Sequence, residues 1–274
     1  MERRHFARAL GAAAFAAMAG RVEAQGGITC GVSLASDTNP FYIAMRRGME
    51  GRAQELGWRL RFVTANEDVV AQNNGLLDLI AQRVNGILCS PIDAVAVRSG
   101  YEAAARAGIP IISVARHADS PHQTMFVSMD EVGIGRDIAN WLARAIGGSG
   151  DIAMIAGPQG AATFRNLAAG FTEAMAAHPG IRIVARQDVA LTRAEGLRVA
   201  QDLLVAHRNL RGIYGGNDEI ALGASQAVAQ AGRAGQVVVT GLNGIPPAIA
   251  AVRRGDLGMT VELNPARWGV LGLD

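Results

Sequence analysis

The 274-residue chain carries 26 basic and 24 acidic side chains, a formal charge of +2, and is 50% hydrophobic. That length suits one large domain or two of about 100–150 residues, and so apolar a chain is not disordered. Its nearly balanced charge offers no basic surface for nucleic acid. Every basic residue is an arginine, so chemistry that needs a lysine, such as a Schiff base or a Walker-type phosphate site, is excluded.

Residues 1–24 read as an export signal: a charged head with Arg3, Arg4 and Arg8, an apolar run from Ala9 to Ala19, and Val22-Glu23-Ala24 as a cleavage pattern. The apolar run is too short for a spanning helix of roughly 20 residues, so no membrane anchor is expected. Arg3-Arg4-His5-Phe6 resembles the twin-arginine export motif, and an ordinary secretory signal is the other reading. Removing residues 1–24 takes away four arginines and two glutamates, which leaves 22 of each sign and a neutral chain of 250 residues.

Beyond the signal, short β-rich runs occur at 27–34, 59–64, 86–90 and 110–114, separated by helical patterns near 40–57, 69–84 and 94–107. The stretch 115–130 breaks the rhythm and marks a boundary. Strand patterns then follow at 151–156, 181–188, 212–215, 237–241 and 257–261, with helices near 131–147, 162–178, 193–207, 219–232 and 246–254. Such alternation predicts an α/β fold in two halves, built on parallel sheets with helices on both faces. Cys30 would open one strand and Cys89 close another, too far apart to bond, so two free buried thiols are expected. Neither has ligand-spaced partners, and no metal site is implied. His117 and His122 read as surface residues of a polar loop.

Parallel sheets bind ligands beyond the carboxyl ends of their strands. After the first strand, Asn39-Pro40 reads as a helix N-cap and N1 pair, which puts Phe41 and Tyr42 in the first turn. Adjacent helix positions diverge, so at least one of these aromatics should be exposed, and a flat ring there suits the C–H face of a sugar. Arg116 follows the fourth strand with a fork of donors. Asn217, after 212–215, can donate and accept; the neighbouring Asp218 is expected to cap the next helix. Asn243 is another amide at a strand end.

Asn39-Pro40-Phe41-Tyr42, Gly108-Ile109-Pro110, Asn217-Asp218-x-x-Ala221-x-Gly223 and Thr240-Gly241-Leu242-Asn243-Gly244 stand in an order and spacing that resembles the periplasmic sugar-binding proteins of the ribose-binding type. The resemblance runs from about residue 27 to the end of the chain. It implies the type I periplasmic binding protein fold, an α/β fold of two doubly wound parallel-sheet lobes with the ligand crevice between them. The lobes would lie at 25–128 plus 265–274 and at 129–264, with crossings near Ser128–Asp130 and Leu263–Pro265, and closure on a ligand. It further implies a small sugar-like solute, an ABC importer permease as partner, no cofactor, a periplasmic monomer and no enzymatic activity.

The binding role of Asn39, Phe41, Tyr42, Arg116 and Asn217 is carried over from that family. Elsewhere the chain departs from its pattern: Ala115 and Asn243 stand in place of aspartates, Leu167 of a second arginine, Leu191 of an aromatic and Leu263 of a glutamine. Arg165 is positioned to substitute for that arginine. Each unpartnered sugar hydroxyl costs about 1–3 kcal/mol, so a less hydroxylated or more apolar solute than ribose is expected. A related chain would continue beyond Trp268 through a strand and a third crossing, so either this C-terminus is shortened or the first lobe is completed differently.

Other readings compete. A sensor or chemotaxis component would use the same fold, and a repressor's ligand domain would need a helix-turn-helix segment in place of the export signal. A dinucleotide-dependent enzyme finds support in Gly133-Ile134-Gly135, but the third glycine of that fingerprint is missing. Gly157-Pro158-Gln159-Gly160 reads as a crevice-rim loop.

Overall fold

The computed structural model describes residues 27–274, so the export signal expected at 1–24 lies outside the described residues. The first half winds as β1 (Thr29–Leu34), α1 (Pro40–Leu56), β2 (Arg59–Thr64), α2 (Val69–Ala81), β3 (Gly86–Cys89), α3 (Arg98–Arg106), β4 (Ile111–Val114) and β5 (Met125–Val127). The second winds as α4 (Glu131–Ala145), β6 (Gly150–Ala156), α5 (Ala162–Met175), β7 (Ile181–Asp188), α6 (Arg193–Ala206), β8 (Leu210–Gly215), α7 (Asp218–Gln230), β9 (Val238–Asn243), α8 (Pro246–Arg254) and β10 (Met259–Glu262). A last helix, α9 (Pro265–Leu273), closes the chain.

These strands form two parallel five-stranded sheets, ordered β2-β1-β3-β4-β5 and β10-β9-β8-β6-β7. Read from the other edge, the second order repeats the first. Each sheet therefore has its switch of winding direction beside its first strand, where parallel sheets open a crevice at their carboxyl ends. Ile87–Cys89 of β3 and Ile152–Ala156 of β6 are buried because helices cover both faces, which is why these stretches are continuous apolar runs.

The chain leaves the first sheet between β5 and α4 and returns between β10 and α9. That last helix lies on α1 so closely that a Cβ on Gly48 would collide with the Ala266 carbonyl, and one on Gly269 with the Met45 carbonyl. Trp268 and Leu273 thereby join the first lobe's core with Phe41, Met45 and Met49.

Several expectations are corrected. The stretch 115–130 contains β5, three residues that pair with β4 at the sheet edge. The helix expected from 94 starts at Arg98, because Asp93 first accepts from the Val95 and Ala96 amides in a separate turn. Gly133 and Gly135 lie inside α4, where a Cβ on Gly135 would strike the Leu167 carbonyl, so they serve helix packing.

Both thiols are free and buried, on neighbouring strands but three residues out of register, since Ser33 and not Cys30 faces Cys89. Burial pushes Cys30 up to about 11 and Cys89 up to about 12. His122 is exposed, while His117 is half-buried with its ring edge against Phe126.

Candidate functional site

The carboxyl ends of the two sheets face one another across a narrow crevice with about 40 Å³ of free space. Its first-lobe wall begins where β1 ends. Ser36 Oγ accepts from the amides of Thr38 and Asn39, and Asn39 Oδ1 accepts from the Phe41 amide at 3.0 Å. This cap, with Pro40 at N1, starts α1 at the crevice.

The two aromatics in that first turn are both buried, contrary to the expectation that one would be exposed. Phe41 stands edge-on to Tyr42 and to Trp268, with ring centres 5.1 and 5.7 Å away. α9 and the opposite lobe cover what a lone helix would leave open. The Tyr42 and Ser90 hydroxyls bond one another at 3.1 Å, and burial raises the phenol above its ordinary pKa.

Arg116 enters from the end of β4. The preceding Ala115 has φ of 66° and the Arg116 amide donates to the Val114 carbonyl, a tight three-residue turn of the strained, left-handed kind. That turn directs Arg116 inward, where it is 2% exposed. Its guanidinium donates from Nη1 and Nη2 to the two carboxylate oxygens of Glu67, at 3.0 and 2.9 Å. Its Cζ lies 5.7 Å from the Tyr42 ring centre in one lobe and 5.4 Å from that of Phe164 in the other. Burial opposes the charged form, but the fields of Tyr42 and Glu67 and the bonds to Glu67 outweigh it, holding the pKa above the usual arginine value.

The second-lobe wall is more apolar. Thr163 and Phe164 open α5, and Leu191, Leu242 and Leu263 line the crevice with Met129. The Thr163 hydroxyl lies 3.1 Å from the Ala115 carbonyl of the first lobe and 2.6 Å from Glu131 Oε1. A second tie runs along the rim, where the Ala94 amide donates to the Gly160 carbonyl.

Asn217, not Asp218, caps α7: its Oδ1 accepts from the Ile220 amide at 2.9 Å, which leaves its NH₂ for the crevice. Asp218 is instead fully buried and accepts from Thr260 Oγ1 and the Ile245 amide, tying α7 to strand β10 and to the loop after β9. Burial raises its pKa to about 6, against hydrogen bonds from Thr260, Ile245 and Gly244 that lower it. Asn243 stands at the crevice with φ of 131°, another conformation rare for a residue with a side chain.

Of the residues singled out from sequence, Asn39, Phe41, Tyr42, Ala115, Arg116, Leu191, Asn217, Asn243 and Leu263 meet at this crevice. Arg165 does not. It is exposed and donates to the Gln159 and Gly160 carbonyls, held by the loop that precedes its own helix. Leu167 also misses the surface: it is fully buried behind it, packed with Ala161, Phe164 and Leu242. The residues not anticipated are Glu67, Met129, Thr163, Phe164, Leu242 and Trp268. Phe164 and Trp268 lie in helices whose apolar pattern reads as core, and Glu67 meets Arg116 across 49 positions of sequence.

Two similar α/β lobes with aromatics, amides and one buried cation between their carboxyl ends define a two-lobed binding protein. Among the described residues there is no cluster suited to a metal ion and no helix long and apolar enough to cross a membrane. A family model described as periplasmic binding protein domain matches residues 30–274, and the chain belongs to that family.

Two relatives are the ribose import binding protein of Bacillus subtilis and the D-allose-binding periplasmic protein of Escherichia coli. The first is 30% identical over 90% of this chain and 79% of its own. The second is 32% identical over 88% of this chain and 81% of its own. Among solved structures, the Caulobacter myo-inositol binding protein bound to myo-inositol superposes with a TM-score of 0.87 at 28% identity, covering 93% of this chain and 88% of that one. Both lobes and the winding of their sheets thus follow the type I periplasmic binding protein fold.

Proposed function

We propose that this protein is an exported solute-binding protein that captures a small neutral sugar or polyol between its lobes and hands it to the membrane subunits of an ABC importer, releasing it chemically unchanged. The observation that carries this reading is the crevice itself: ring faces from both lobes, amide NH₂ groups and a fixed guanidinium converge on one small space. Aromatic faces suit the C–H faces of a sugar, while Asn39, Asn217, Asn243, Thr163 and Arg116 supply the polar contacts that orient hydroxyls. The relatives named above bind ribose and D-allose, and the solved structure holds myo-inositol, all within this class.

The wall made by Leu191, Leu242 and Leu263 argues against ribose. A hydroxyl facing these side chains finds no partner, at about 1–3 kcal/mol each. A solute with an apolar edge, such as a deoxysugar or a modified sugar, matches the crevice better. Calorimetry with the mature chain against ribose, D-allose, myo-inositol and a deoxysugar series tests this. We expect saturable binding of a less hydroxylated member, and a ligand at about 100 times its dissociation constant would stabilise the fold by about 2.7 kcal/mol in a thermal scan. Micromolar ribose binding would overturn the exclusion of ribose, and no binding across the series would overturn the solute class.

A further inference from the structure

We propose that Glu67 is the specificity residue that makes the crevice accept uncharged solutes and refuse their carboxylate counterparts. The proposal rests on the solute-binding reading above and deepens it. Among the crevice-lining side chains Arg116 is the sole one with a permanent charge, and it is almost wholly removed from water. Left alone, such a guanidinium would be an anion site, because its planar fork fits a carboxylate in bidentate fashion. Glu67 already occupies that fork, oxygen for oxygen. The pair is neutral as a whole, and the guanidinium keeps its other N–H donors for a hydroxyl.

The backbone around Glu67 shows how firmly this arrangement is held. Asn66 and Glu67 are consecutive residues at φ of 47° and 62°, and glutamate has no intrinsic liking for that region. Two bonds to the loop after β1 hold the segment: the Glu67 amide donates to the Ala35 carbonyl at 2.7 Å, and the Asp37 amide to Asn66 Oδ1 at 3.2 Å. A strained conformation persists where its surroundings over-determine it. Here it delivers a carboxylate from the β2–α2 loop to an arginine on the β4 turn. Ala115, immediately before that arginine, can supply no such charge. Glu67 keeps 35% of its side chain exposed at the rim, so a ligand carboxylate would have to displace it from the fork or sit against its negative charge.

Matched pairs test this: 2-deoxy-D-ribose with 2-deoxy-D-ribonate, and glycerol with D-glycerate, followed by calorimetry and thermal shift at constant ionic strength. Wild-type protein is expected to hold each acid at least about tenfold more weakly than its neutral partner, and equal or tighter binding of the acid overturns the proposal. Glu67→Gln keeps the shape and removes the charge. It is expected to move the ratio toward the acid by about tenfold or more, with D-glycerate stabilising the variant and not the wild type.

Glu67→Asp draws the carboxylate back by one methylene and stands in if the glutamine variant does not fold; it is expected to shift the ratio by about threefold. An unchanged ratio in whichever variant folds overturns the proposal. Failure of wild type to bind any neutral sugar would instead count against the solute class. The gain or absence of D-glycerate binding in the variant would then still decide the role of Glu67.

Discussion

The two walls of the crevice are built differently although the two sheets share one winding order. The first-lobe wall is a bonded network: Ser36 to Asn39 to the start of α1, Tyr42 to Ser90, and Arg116 to Glu67. The second-lobe wall is largely leucine, with single amides from Asn217 and Asn243 at its edge. Identical topology thus places the loops, while the loop residues divide the work. On the proposed reading, one lobe would fix a solute's orientation through directional contacts, and the other would supply non-directional apolar cover.

The largest test of this division is Arg116→Ala. It leaves Glu67, 35% exposed, without its partner and should destabilise the first lobe by about 1–3 kcal/mol, read by urea denaturation, together with loss of solute binding by calorimetry. If the first lobe does not depend on its network, the denaturation midpoint will not move.

Asp218 offers the contrasting test inside the second lobe. Its folded pKa of about 6 lies above the ordinary aspartate value of 3.8, so the native state binds the extra proton. Stability from this group is therefore present below about pH 4 and is lost as pH rises toward 6, by up to about 3 kcal/mol. Asp218→Asn keeps the shape and should flatten that part of the profile in denaturation measured from pH 4 to 7. A profile unchanged by the substitution would remove Asp218 as its source.

Smaller effects probe each wall separately. Leu263→Gln adds one polar partner to the apolar wall and should improve ribose affinity about fivefold, equivalent to about 1 kcal/mol, in calorimetry. Tyr42→Phe removes the bond to Ser90 from the directional wall and should lower stability by about 1 kcal/mol without changing solute preference. A shift in preference would mean that the phenol, rather than its ring, meets the solute.

The α/β alternation was legible because strands such as β3 and β6 carry unbroken apolar runs, Ile87–Cys89 and Ile152–Ala156, between helical patterns. The strand ends likewise pointed to Asn39, Arg116, Asn217 and Asn243. What was not legible depended on distant partners. Met125-Phe126-Val127 is too short a run in a polar stretch to read as a strand without β4 beside it. Asn217 and Asp218 are equally good caps locally, and burial by Thr260 and Ile245 decided between them. Arg165 has the right chemistry, but its own Gln159–Gly160 loop offers nearer acceptors. Glu67 carries no local signal at all, since its meaning comes from a left-handed backbone and a residue on another loop.

The carbonyl of Ala115 receives Thr163 from across the crevice and Ser128 from the passage between lobes, while its own residue makes the turn that aims Arg116. Parting the lobes therefore means breaking a bond to the very peptide that sets the arginine. A solute held by Arg116 would slow that parting, and parting would in turn loosen the hold on the solute. Escape rate and lobe opening should then share one barrier, so a change at Thr163 would be felt in the residence time of the solute more than in how fast it arrives.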